Sequence, residues 1–162
     1  MARLKVRLHR LAALTVTRTD VRTDRLVYVI VARRPQGYPL ERSPSVYRGT
    51  TQRGLGRIAA SAAHRADQVL ALYGVDRFDV RVITCGRRQN VQTWRKLETA
   101  LLLVFQQRYG ALPLCNEKGK RIRGTDAFKY FRRERLDQLI SGIGDSKRRR
   151  RSRRRGRAEQ TA

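Results

Sequence analysis

The sequence predicts an α/β sandwich of modest size: a three-stranded, mostly antiparallel sheet flanked by helices. Three observations predict it. Two short β-prone runs, Leu26 to Ala32 and Ser45 to Thr51, each centre on one tyrosine, and a Pro- and Gly-rich stretch separates them. A third segment, Phe78 to Thr84, alternates with period two. Two longer stretches, Gln52 to Tyr73 and Val91 to Arg108, carry apolar residues at helical spacing. At 162 residues the chain is one domain with appendages, long enough to bury a core without disulfides or a metal.

Taken in order, residues 1–24 alternate Leu4, Val6 and Leu8 with basic residues and read as a basic arm or an extra strand. Leu26 to Ala32 reads as a buried strand. Arg33 to Pro44 holds Pro35, Gly37, Pro39 and Pro44 and reads as a loop, long for a simple hairpin. Extended structure resumes from Ser45 to Thr51. In the first helix, loosened at its start by Gly54 and Gly56, Leu55, Ile58, Ala62, Ala66 and Val69 mark one face. Arg57, Ser61, His64 and Gln68 mark another, and Gly74 is expected to end it. After the third strand, Gly86 to Asn90 is a polar turn. The second helix carries Trp94, Leu97, Leu101, Leu102 and Phe105 on one side, and Gly110 closes it. Leu112 to Asn116 is a tight extended segment. Gly119 to Thr125 is a basic loop, and Ala127 to Ile140 reads as a last helix. The compact domain is thus expected over 25–118, a loop and helix over 119–145, and a disordered Arg-rich tail over 146–162.

The charge narrows the partner. There are 38 Lys and Arg against 13 Asp and Glu, a formal net charge of +25. The stretch Lys147 to Arg157 holds nine of the basic residues. Without it and Glu159, 29 basic residues still face 12 acidic ones. A folded body this basic implies a polyanionic partner, and nucleic acid fits best. The basic residues do not form an amphipathic helix of the membrane-surface type, and no stretch approaches the length of a membrane span. Cys85 and Cys115 stand apart and outside any CxxC pair, so two free thiols in a reducing compartment are expected rather than zinc. The N-terminus lacks the apolar run of a signal peptide. Cytosol or nucleoid is the expected place.

Glu98 is the most informative single residue. It lies four residues after Trp94 and three and four before Leu101 and Leu102, so it projects from the apolar side of its helix. An unpaired carboxylate there is costly. One reading is a buried ion pair with an arginine. The other is a ligand for a hard divalent cation, which prefers oxygen and often uses only one or two carboxylates. Tyr28 and Tyr47, each central in a strand, are core tyrosines or a convergent pair of hydroxyls. Arg57 could grip a phosphate in bidentate fashion. His64 lies about two turns, roughly 10 Å, further along that helix.

This ordered set resembles the GIY-YIG nucleases. Val27-Tyr28 occupies the first motif and Tyr47-Arg48-Gly49 the second. Arg57 matches the arginine of the first helix, Glu98 the glutamate of a later helix, and Asn116 the final asparagine. The resemblance covers about residues 25–118. Three positions depart from the pattern: the first-motif glycine is missing, the tyrosines are further apart, and the usual position of the helix histidine holds Ser61, with His64 beyond it.

The resemblance implies a metal-dependent endonuclease, DNA ahead of RNA as substrate, with one Mg²⁺ or Mn²⁺. Glu98 would hold the ion and Arg57 would stabilise phosphate charge. Tyr28 would be the general base, its pKa lowered by nearby cations. Tyr47 or His64 would relay the proton, and Asn116 would order the pocket. Arg48, Arg53, Arg87, Arg88, Arg95, Lys118, Lys120, Arg121, Arg123, Arg132, Arg133 and Arg135 would bind backbone phosphates. Specificity would come from the Pro-rich loop and last helix, or from a homodimer or protein partner. The alternative is a non-catalytic nucleic-acid-binding module or ribonucleoprotein component on the same fold.

Overall fold

The computed structural model describes residues 25–116 and 127–143. The arm over 1–24, the loop with Lys118, Lys120, Arg121 and Arg123, and the tail lie outside these residues. Three strands, β1 (Leu26–Gly37), β2 (Arg42–Thr51) and β3 (Phe78–Ile83), form one sheet in the order β2-β1-β3, and both pairings are antiparallel. Two helices, α1 (Gly54–Leu70) and α2 (Thr93–Tyr109), follow β2 and β3. A 3₁₀ turn at Ala127–Lys129 precedes a third helix, α3 (residues 133–143). No helix among the described residues is long and apolar enough to cross a membrane.

β1 organises the fold. Leu26 to Ala32 has no polar break and every side chain is buried. Leu26, Tyr28, Ile30 and Ala32 face α1, where they pack with Ile58 and Val69. Val27 packs with Leu97, Ala100, Leu101, Val104 and Phe105 of α2, and with Leu136 and Ile140 of α3. Val29 and Val31 meet Ile143. Successive side chains of a strand leave opposite faces, so a run apolar throughout requires a layer on each side. Burying each such side chain stabilises by about 1.5–3 kcal/mol.

The Pro-rich stretch is not a loop. β1 continues to Gly37 and β2 starts at Arg42, with Tyr38 N–H donating to the Glu41 carbonyl to close the turn. Val31 pairs with Ser45 and Gln36 with Ser43, so Ala32 to Pro35 bulge opposite Pro44 alone. A proline donates nothing to a ladder and is tolerated at bulges. Pro35 and Pro44 sit in this irregularity, Pro39 lies in the turn between the strands, and the hairpin continues past them.

Along α2 the apolar residues at 97, 100, 101, 104 and 105 recur at helical spacing and are buried. It ends at Gly110, which takes φ +80° and donates to the Gln106 carbonyl, a left-handed cap that glycine adopts without steric cost. α1 ends at Leu70, and Gly74 with φ +69° turns the chain four residues later rather than capping the helix. Leu55, read as a core residue, is 37% exposed. The last helix begins at 133, six residues later than expected, after the 3₁₀ turn.

Candidate functional site

β1 and β2 bring the two tyrosines together. Tyr28 stands opposite Gly49 and Ile30 opposite Tyr47, so both phenols leave the sheet on the α1 face, with ring centroids 5.9 Å apart. A Cβ at Gly49 would stand 2.7 Å from the Tyr28 hydroxyl oxygen, 2.8 Å from its ring carbon and 2.9 Å from the Tyr47 hydroxyl oxygen. No side chain fits there. The requirement is space, since Gly49 is not among the positive-φ glycines.

α1 completes this cluster with residues of one stripe. Ser61 Oγ and Tyr28 Oη share a hydrogen bond of 2.7 Å. One turn later the Arg65 guanidinium lies over the Tyr47 ring at 4.0 Å and donates to the Cys115 carbonyl at 3.0 Å. Sequence reasoning placed Ser61 on this stripe without giving it a role, and overlooked Arg65. Helical spacing was the available signal, because Ser61 and Arg65 follow Arg57 by four and eight residues. Arg57 is exposed one turn before Ser61. His64 is exposed and bonds to neither tyrosine.

Burial pushes the Tyr28 phenol up to about 12; the hydrogen bond to Ser61 and the charge of Arg65 pull the other way and do not offset it. This reverses the direction expected of a tyrosine base in a cationic site. Tyr28 is therefore a neutral phenol in the free chain.

Glu98 stands on the other face. The Thr50 hydroxyl donates to its Oε2 at 3.4 Å, and Thr50 pairs with Val27, which faces α2. The tyrosines and the carboxylate are thus separated by β2, yet Gly49 and Thr50 are adjacent in it. β2 is an edge strand. Its edge is covered at Val46 and Arg48: Cys115 N–H donates to the Val46 carbonyl, while the Asn116 amide accepts from Arg48 N–H at 3.0 Å and donates to its carbonyl at 2.9 Å. Asn116 thus fixes β2 beside the tyrosine pair.

Among the described residues no three His, Cys, Asp or Glu side chains gather to hold a metal. The Glu98 carboxylate with the Thr50 hydroxyl is an all-oxygen pair. It suits a cation that takes one or two carboxylates and keeps most of its waters.

Arg48 is not a phosphate ligand. It is 1% exposed, lies over Phe105 at 4.6 Å and donates through Nη1 to the Leu101 carbonyl. Alternation explains the error: Tyr47 and Gly49 face α1, so the residue between them faces α2. The other described candidates are exposed. Arg53 precedes α1, Arg95 starts α2, Arg88 lies over the Tyr130 ring at 5.7 Å, and Arg133 pairs with Asp137 at 3.4 Å. Arg87, Arg132 and Arg135 are exposed too.

The strands sort these charges along the sheet. β1 begins, β2 and β3 end, and α1 and α2 begin at one end of the molecule. Arg25, Arg53, Arg57, Arg87, Arg88 and Arg95 lie there. Among the described residues of the sheet, α1, α2 and their connections, the one carboxylate at this end is Glu98. The opposite end holds Glu41, Asp67, Asp76 and Asp79, of which Asp76 pairs with Arg33 and Glu41 with Arg108.

Comparison with known proteins finds no matching family, no matching curated protein and no matching solved structure.

Two outcomes follow from this geometry. Gly49→Ala forces a methyl group against two hydroxyls and lowers stability by about 1–3 kcal/mol, as overpacking does; denaturant unfolding reads it. The second concerns pH. Burial raises the phenols of Tyr28 and Tyr38 from the ordinary 10 to about 12. The folded chain then holds these protons more tightly than the unfolded chain, so the stability they contribute is complete below pH 10 and is lost as pH rises from 10 to 12. Denaturant midpoints across that window fall steeply for the native chain and less steeply for Tyr28→Phe.

Proposed function

We propose that the chain is a metal-dependent endonuclease of the GIY-YIG type that hydrolyses phosphodiester bonds, DNA ahead of RNA. The reading is carried by the fit at Gly49. Two phenol hydroxyls converge where no side chain can stand, on the two strands and at the positions that the resemblance implies. A core with no chemistry to perform would bury Phe here more cheaply than Tyr, because each buried hydroxyl must be given a partner. The basic end of the sheet supports the same reading, since it supplies the charge that a phosphate backbone needs.

The reaction is in-line displacement at phosphorus. A water oxygen forms the new bond to phosphorus as the bond to the leaving oxygen breaks, and the proton of that water passes to a phenolic oxygen. Tyr28, held neutral, first orients the water by hydrogen bonding. It accepts the proton of that water only as its own phenolic proton leaves along its hydrogen bond to Ser61 or Tyr47 toward solvent, a loss that positive charge nearby favours; among its neighbours Arg65 already acts in that direction. Ser61 and Tyr47 share its hydroxyl and fix its position. Arg57, exposed one turn before Ser61, meets the phosphate oxygens with a guanidinium fork. Glu98, with Thr50 beside it, would hold the divalent cation, which supplies Lewis-acid charge at the scissile phosphate. Asn116 keeps β2 in place.

A second reading, a nucleic-acid-binding module without turnover, is favoured by two observations: Tyr28 is raised rather than lowered, and Glu98 lies across β2 from the tyrosines.

Cleavage separates the two readings. Supercoiled plasmid and labelled single-stranded and branched DNA and RNA are incubated with Mg²⁺ or Mn²⁺. The nuclease reading expects cutting that chelation abolishes, that Glu98→Gln lowers by at least about 100-fold, and that Tyr28→Phe lowers by a similar factor, with binding retained. Tight binding with no cutting of any substrate contradicts it. Binding itself has a polarity. Arg53→Gln/Arg88→Gln/Arg95→Gln reduces the salt dependence of duplex binding by about three counterions. Arg34→Gln/Arg42→Gln/Arg77→Gln, at the opposite end and with the same charge change, leaves it nearly unaltered.

A further inference from the structure

Arg48 presents a problem that the nuclease reading does not use. Its guanidinium lies inside the protein between β2 and α2, 1% exposed, against the Phe105 ring. One nitrogen, Nη1, donates to the Leu101 carbonyl. The other two, Nε and Nη2, are buried and have no hydrogen-bond partner. These two lie on the same edge of the guanidinium plane, the fork that receives an anion through two parallel N–H groups. A third buried polar atom without a partner, Ser45 Oγ, belongs to the same strand. Ser45 pairs with Val31 and Arg48 with Val29, so both side chains leave β2 on the α2 face. Tyr38 ties this region together: its hydroxyl donates to the Ser45 carbonyl, and its ring meets Phe105 edge-on at 5.1 Å. No described carboxylate bonds to Arg48.

A guanidinium held out of water with two N–H groups unsatisfied is among the most costly arrangements in a protein. Burial lowers Arg48 to about 9, so it still carries its proton at neutral pH. Satisfying the fork requires an acceptor, and balancing the charge requires that the acceptor be negative. Water meets only the first need. A divalent anion would overshoot the second, because Arg48 brings a single positive charge and no other described cation is bonded to this region.

We propose that the fork of Arg48, with the Ser45 hydroxyl, forms a buried site for one monovalent inorganic anion of the chloride type, a structural ion between β2 and α2. Nε–H and Nη2–H donate to it, and the Ser45 hydroxyl turns to donate as well. The ion neutralises Arg48 and so holds β2, with Tyr47 and Gly49 on either side of Arg48, against the turn of α2 that follows Glu98. The site is internal and does not depend on the nuclease reading.

The test uses the full chain at constant ionic strength, with sodium chloride replaced stepwise by sodium gluconate, so that screening of the net charge is unchanged. The native chain is expected to gain thermal stability with chloride, its unfolding constant falling tenfold for each tenfold rise in chloride above the dissociation constant. Arg48→Met, close in shape and without charge, loses the chloride dependence. Ser45→Ala, a smaller change that leaves the packing in place, shifts the dependence several-fold toward higher chloride. Crystals of the native chain grown in bromide are expected to show an anomalous peak beside Arg48 Nε, which tests the site even where Arg48→Met does not fold. Equal melting in chloride and gluconate, or bromide crystals with no peak beside Arg48, overturns the proposal.

Discussion

Burial of β1 on both faces is the constraint on which the rest depends. Seven consecutive side chains, Leu26 to Ala32, must be removed from water, and a strand sends them alternately to two sides. One helix cannot cover both. The chain therefore places α1 on one face and α2 with α3 on the other, and flanks β1 with a strand on each edge. Every feature of the candidate site follows from that division. Tyr28 and Tyr47 belong to the α1 layer, Thr50 and Glu98 to the α2 layer, and β2 alone lies between them.

β2 is an unusual edge strand. Tyr47, Arg48, Gly49 and Thr50 carry, in succession, a phenol to one layer, a guanidinium to the other, no side chain at all, and a hydroxyl to the second layer. Each is polar or empty where a packing strand would be apolar. Arg48 is costly to bury, and Gly49 gives up a side chain that could have packed. Asn116 spends both ends of its amide on the Arg48 backbone. A strand that only filled space would carry none of these, and β2 is the strand on which the proposed site is built.

Much of this was legible in the sequence. The order of strands and helices, the apolar stripe of α2 and the closing Gly110 follow from periodicity and glycine chemistry, which are local. Placing Tyr28 and Tyr47 on two adjoining strands leaves a core role or a convergent pair of hydroxyls open, and the antiparallel pairing of β1 with β2 brings the rings together. What was not legible needed three dimensions. The proline-rich stretch reads as a loop because proline cannot donate, but Pro35 and Pro44 fall where the register shifts, Pro39 falls in the turn, and the hairpin runs on. Arg48 reads as a surface cation because arginine is rarely buried, whereas its neighbours' alternation assigns it to the core. The direction of the Tyr28 shift depends on how deeply α1 covers it, and Ser61 and Arg65 acquire meaning only once α1 lies over the sheet. That Glu98 faces away from the tyrosines depends on which side of the sheet α2 takes, which no spacing within α2 reveals.

The central claim is that one divalent cation at Glu98 and the two phenols across β2 serve the same phosphate. Paramagnetic broadening tests it most directly. With the tyrosines isotopically labelled and Mn²⁺ added together with a short duplex that the chain binds, the ring signals of Tyr28 and Tyr47 are predicted to broaden far more than that of Tyr73, which is exposed beyond the C-terminal end of α1. Glu98→Gln should remove the effect. Broadening that spares Tyr28 and Tyr47, or that survives in Glu98→Gln, would contradict the account, because the cation would then lie elsewhere.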